Sequence, residues 1–115
     1  MIYLMNSAVM PAGNYGSYEY APATMNDLKM LMSGKIGTFR SCIGYPQNAD
    51  LIEKWTGFRP EISRTETRFS SGDRAFVMRL KYRVGVGTKG SNVSEDPADW
   101  EFAWVLFSRN EGRTK

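Results

Sequence analysis

The sequence predicts one α+β domain, a mixed, mostly antiparallel sheet of about five strands with two main helices packed on it. Three observations lead there. Apolar or alternating runs of strand length fall at residues 2–9, 73–84 and 100–107. Two segments of helical period, each with start and stop signals, lie at residues 24–34 and 46–57. The 115 residues suffice for one hydrophobic core and not for two, so residues 1–115 are expected to form a single domain.

The first run, Ile-Tyr-Leu-Met-Asn-Ser-Ala-Val at residues 2–9, is expected to tie the start of the chain into the sheet. Asn6 and Ser7 break it with polar groups, as ligand-facing or turn-initiating residues do. Residues 10–21 carry Pro11, Gly13 and Gly16 with Tyr15, Tyr18 and Tyr20, a loop followed by a short alternating strand at Tyr18–Ala21. Tyrosines placed here suit either stacking on a base or packing against a sheet edge.

Thr24 opens the first helix, and Asp27 three residues on resembles a shortened capping box. Leu28, Leu31 and Met32 fall on one face, Gly34 is the stop, and Met25, Met30 and Met32 read as core filler. Residues 35–41 are expected to be a basic connector holding Lys35 and Arg40. Next, Ser41 to Ala49, Ser-Cys-Ile-Gly-Tyr-Pro-Gln-Asn-Ala, runs from a polar turn straight into a helix over 46–56. Gly44 lets the backbone bend or approach a ligand, Pro46 suits the first helical position and Gly57 ends the helix. Ala49, Leu51, Ile52 and Trp55 supply its buried face. First-turn amides lack intrahelical partners, and either a bound phosphate or ordinary capping by side chains and water satisfies them.

Residues 58–65, with Pro60, read as irregular. Thr65–Ser70 and Asp73–Val84 then read as two strands of a hairpin joined by Ser-Ser-Gly-Asp. In the second of them Phe76, Met78, Leu80, Tyr82 and Val84 share a core face. Ala75, Val77, Arg79, Lys81 and Arg83 share the other, which ends in three cations. A cationic stripe serves equally as solvated surface or as an anion-binding face. Residues 85–97 are expected to be a loop with a short helical turn near its end, and 109–115 a frayed tail.

Composition narrows the chemistry. The formal charge of +3 and pI near 9.1 suit an anionic ligand, but the cations are too sparse for duplex nucleic acid. One cysteine, Cys42, excludes an intrachain disulfide and fits a reducing compartment. There is no histidine, which removes the side chain best suited to proton transfer near neutrality and the commonest zinc ligand. No metal or cofactor is expected. No apolar run reaches membrane-spanning length, and a soluble protein is expected.

Three stretches together resemble the small anti-CRISPR ring nucleases of archaeal viruses and bacteriophages, which bind and cut cyclic tetra-adenylate. They are Ile-Tyr-Leu-Met-Asn-Ser-Ala, then Ser-Cys-Ile-Gly-Tyr-Pro-Gln-Asn-Ala with its helix ending in Trp-Thr-Gly, and finally Gly-Asp-Arg-Ala-Phe-Val-Met-Arg-Leu-Lys-Tyr-Arg-Val. They keep the family's order and span residues 2–84. The resemblance implies a homodimer, with the cyclic nucleotide in a pocket across the dimer interface. It implies ligand contacts from Asn6, with Ser7 beside it, from Gly44, Tyr45 and Gln47 at the helix start, and from Arg79 and Arg83. Tyr15 or Tyr18 would close over the ligand. Paired guanidinium groups suit phosphate oxygens because each donates two parallel hydrogen bonds.

The chain departs from that pattern at the catalytic positions. The family's histidine after Ile-Gly is Tyr45 here, and with an ordinary pKa of ~10 a tyrosine is a poor proton donor near neutrality. The family's glutamate just past the hairpin strand is replaced by Gly85-Val86-Gly87. The expected function is therefore a non-enzymatic sponge. It would be a phage anti-defence protein in the host cytoplasm that sequesters a cyclic oligonucleotide or cyclic ADP-ribose-type messenger of CRISPR type III, CBASS or Thoeris. It would act as a homodimer or higher oligomer. The alternatives are an active ring nuclease with another proton donor, such as Tyr45 or Lys81, and a module that binds a host defence protein.

Overall fold

The computed structural model describes residues 1–6, 16–63, 69–81 and 95–108. Five strands form one sheet: β1 (Ile2–Met5), β2 (Ser17–Ala23), β3 (Phe39–Cys42), β4 (Arg74–Leu80) and β5 (Trp100–Ser108). Two helices, α1 (Met25–Met32) and α2 (Pro46–Thr56), and a single 3-10 turn at Pro97–Asp99 complete the described elements. The strand order is β2-β5-β4-β1-β3. β1 runs parallel to both β3 and β4, while β5 runs antiparallel to β4 and β2. The sheet is thus mixed, with its two antiparallel ladders longer than its two parallel ones, as the sequence predicts.

Both helices form where their caps dictate. Thr24 accepts a hydrogen bond from the Asp27 amide at 3.2 Å, and Asp27 returns one from the Thr24 amide at 2.9 Å, so the capping box is complete. α2 covers the residues its Pro46 start and Gly57 stop predict, and Gly57 takes φ 86, a conformation costly for any residue with a Cβ.

The helices pack on one face of the sheet. Leu28, Leu31 and Met32 of α1 and Ala49, Leu51 and Ile52 of α2 bury there against Ile2, Leu4, Phe76, Met78 and Trp100. A second cluster occupies the other face and contains no helical residue: Tyr3, Met5, Phe69, Ala75, Val77, Val105 and Phe107. The alternation read in β4 therefore holds, but Ala75 and Val77 are as much core as Phe76 and Met78.

Two expectations are corrected. The connector at 35–41 contains β3, an edge strand whose sequence Phe-Arg-Ser-Cys carries no apolar alternation; pairing to β1 makes it a strand. The hairpin is absent because β4 has β1 on one side and β5 on the other, leaving no edge for a preceding strand. Ser70–Asp73 is nevertheless a turn: Asp73 donates to the Ser70 carbonyl at 2.9 Å, with Gly72 at φ 92. Ser71 keeps a negative φ, so this is a type II turn and not the type I′ that joins hairpins. Residues 64–68, the first half of the expected hairpin, lie outside the described residues.

Candidate functional site

The carboxyl ends of the parallel strands β1, β3 and β4 lie along one edge of the sheet, and the α2 N-terminus follows β3 directly. In open sheets this edge is where ligands settle, because loops and helix starts converge there. β3 is fixed from outside by the segment after α2. Ser63 donates to the Ile43 carbonyl at 2.8 Å, Ile43 bridges Ile62, and the buried Ser41 hydroxyl donates to the Glu61 carbonyl. Ile43 is fully buried, so the turn Gly44-Tyr45 has a rigid base.

At that base α2 begins without a side-chain cap. The Tyr45 carbonyl accepts from the Asn48 and Ala49 amides at 3.1 and 3.3 Å, Pro46 has no N–H, and the first turn holds no acidic residue. The positive end of the helix is therefore uncompensated by its own side chains, in contrast to the closed capping box of α1. No side chain caps this start, which leaves water or a bound phosphate to satisfy the first-turn amides. The Tyr45 side chain is 53% exposed and Gln47 is exposed beside it. Asn6, half-buried, sits one residue past the end of β1 on the same edge.

The cations of β4 occupy the other face. Arg79 and Lys81 share the side of Ala75 and Val77, which carries no helix among the described residues, so they and the α2 start meet the same sheet edge from opposite sides. Arg79 lies directly opposite Glu101 of β5, and its Nε donates to Glu101 Oε1 at 2.7 Å. This pair lines a groove of about 710 Å³ together with Lys81, Tyr20, Pro22, Val77 and Ala103.

The sequence offers Tyr20 only as one of three tyrosines suited to base stacking or sheet packing, and it does not mark Glu101 as a ligand residue. The signal for Glu101 was present, since it is the lone charge in the strand Trp100–Ser108. Tyr18 takes the sheet-packing alternative, with its ring 5.1 Å from Phe107 and 6.3 Å from Phe69. Burial, with a smaller contribution from Tyr20, raises its pKa. Ser7, Tyr15 and Arg83 lie outside the described residues, as do residues 85–94 of the expected loop and the expected tail at 109–115. Among the described residues no three His, Cys, Asp or Glu side chains gather as a metal ion would require, and no helix is long and apolar enough to cross a membrane.

A comparison with curated protein sequences finds no match. The STIV B116-like family model matches residues 2–96, which includes every described element except the 3-10 turn at Pro97–Asp99 and β5. The chain belongs to the STIV B116-like family. A solved relative in fold is B116 of Sulfolobus turreted icosahedral virus, 16% identical, with a TM-score of 0.68 over 91% of this chain and 97% of that one. At that identity the likeness extends to the sheet and its two helices. The family match carries the relation to a viral protein, and the elements that frame the candidate site, β1, the β3–α2 turn and β4, all lie inside it.

Proposed function

We propose that the chain binds a nucleotide-derived messenger through its phosphates and holds it without cutting it, so as to lower the messenger's free concentration in an infected host. The observation that carries this reading is the start of α2. Its first turn has no acidic residue and no side-chain cap, and it sits on the strand edge where Arg79 and Lys81 end their run. Helix amides and guanidinium groups both favour phosphate oxygens.

The same position argues against turnover. Tyr45 stands where ring nucleases resembling this chain place histidine, the chain has no histidine, and Gly85-Val86-Gly87 supplies no carboxylate. Loss of general acid–base assistance costs roughly 10²–10⁴ in rate, while leaving the phosphate-binding groups in place. Binding across a homodimer, with Asn6, Tyr45, Arg79 and Arg83 contributed by each copy, completes the proposal. The defence system it would blunt is one that signals through a cyclic oligoadenylate, a smaller cyclic dinucleotide or trinucleotide, or a cyclic ADP-ribose derivative.

The test is incubation of the purified protein with each class of messenger, followed by heat denaturation and mass spectrometry of what is released. Intact messenger returned in proportion to protein is the expected result. Linear products in excess of protein would overturn the non-enzymatic part and make the chain a nuclease. No retention of any messenger would overturn the binding itself, and a host protein retained in its place would indicate an interaction module.

A further inference from the structure

We propose that Glu101 is a specificity-determining residue of the groove on the helix-free face. It makes Arg79 select a phosphate that carries a neighbouring ribose hydroxyl over one attached to a deoxyribose. This inference rests on the messenger-binding reading above.

Arg79 and Glu101 are register partners on adjacent antiparallel strands, and their side chains leave the same face of the sheet. The ion pair uses Nε of Arg79. Among the described residues its two terminal nitrogens have no hydrogen-bond partner, so a phosphate has donors to accept from while Glu101 stays in place. The two side chains are 64% and 47% exposed, so both are within reach of a ligand.

A phosphate held by those nitrogens sits beside the Glu101 carboxylate, and like charges at such a separation repel. A carboxylate is acceptor-only, so the ligand relieves the conflict by presenting a donor to it. That donor must lie next to the phosphate, because Glu101 lies next to the arginine that holds the phosphate. The hydroxyl adjacent to a ribose phosphodiester meets this requirement, whereas an exocyclic base amine is held away from the phosphate by the width of the sugar. A deoxy ligand pushes Glu101 aside at little cost, since the exposed pair is worth little, but it gains no charged hydrogen bond. The hydroxyl-bearing ligand holds Glu101 in place and gains one. The difference favours ribose.

The rest of the groove suits the sugar and base. Val77, Pro22 and Ala103 give apolar surface, Tyr20 a ring and Lys81 a second cation. Its volume of about 710 Å³ falls among those of small-molecule sites.

Calorimetric titration tests the proposal, using cyclic tetra-adenylate, cyclic di-adenylate and cyclic ADP-ribose, each beside its counterpart lacking the 2′-hydroxyls. At least one ribose probe is expected to bind the wild type about tenfold or more tightly than its deoxy counterpart, the worth of one hydrogen bond to a charged group. Glu101→Gln should bring that ratio below about threefold, chiefly by strengthening the deoxy probe, and Arg79→Ala should weaken both. Glu101→Asp, which keeps the charge but shortens its reach, should fall between, and a thermal melt of each variant checks that the fold is intact. A ratio near one in the wild type, or one unchanged by Glu101→Gln, overturns this inference while the messenger-binding reading stands. Failure of every probe to bind overturns both.

Discussion

The two faces of this sheet are built from the same strands and end in opposite ways. On the helix-covered face Phe76 and Met78 are fully buried, and α1 and α2 cover Ile2 and Leu4 beside them. On the helix-free face Ala75 and Val77 are buried under aromatic side chains, while Arg79, two residues further along the strand, and Lys81, just past its end, are exposed. Helices cover one face over Ile2, Leu4, Phe76 and Met78. The other is closed only as far as Phe69, Tyr18 and Phe107 reach, and charge begins where that cover stops. Among the described residues no helix or strand lies over that end of the face, and the exposed cations stand clear of the core.

The largest expected effect contrasts β4 residues three positions apart. Phe76→Ala removes a fully buried ring that stacks against Phe102 and Trp104. It should cost about 3–5 kcal/mol in urea denaturation. Arg79→Ala removes an exposed ion pair and should change stability by no more than about 0.5 kcal/mol while abolishing messenger retention. Equal stability losses would erase the distinction between the faces.

A smaller effect probes how tightly the helix-free face is closed. A Cβ on Gly16 would collide with the Ser108 carbonyl oxygen and the Phe107 ring, which join β2 to the second cluster. Gly16→Ala should therefore cost about 1–3 kcal/mol, as overpacking does, against a gain for the same change at an unhindered site. A neutral result would mean that the face yields easily.

The next pair sets the two helix starts against each other. Thr24→Ala breaks the capping box of α1 and should cost about 1 kcal/mol. Tyr45→Asp supplies the cap that α2 lacks and should stabilise the fold by about 0.5–1 kcal/mol, yet its charge should drive a phosphate away. A Tyr45→Asp protein that is more stable and still retains its ligand would separate the helix start from binding.

These contrasts also mark what the sequence could and could not reveal. α2 was legible to the residue because Pro46 and Gly57 act locally, and the α1 capping box because Thr24 and Asp27 are three residues apart. β3 was not, since Phe-Arg-Ser-Cys gains its strand character only from β1, which arrives from more than thirty residues away. The expected hairpin failed for the same reason. Ser70–Asp73 does encode a turn, but which strand lies beside β4 is decided by β1 and β5. Parity placed Arg79 on the face of Ala75 and Val77, whereas its pairing with Glu101, the lone charge of β5, is set by a cross-strand register that no local pattern announces.

The smallest effect at neutral pH lies at Tyr3, whose ring packs edge-on against Phe69 at 5.2 Å beneath the helix-free face. Burial raises its pKa, the nearby Asp73 carboxylate adds to that, and Arg40 opposes it. Below pH ~10, the ordinary tyrosine value, the folded and unfolded chains both hold the proton and Tyr3 contributes no pH dependence. Above it the unfolded chain releases the proton first. The folded state then binds more protons, and stability falls as pH rises through the raised value. Tyr3→Phe keeps the ring contact and deletes the titration, so urea midpoints should be close at pH 7 and the variant should lose less stability than the wild type above pH ~10. Tyr18 shifts in the same direction and remains in the variant, so the loss should shrink without vanishing. Parallel curves for the two proteins would mean that the Tyr3 hydroxyl reaches solvent, and that the second face is open under β1 as well as beyond Val77.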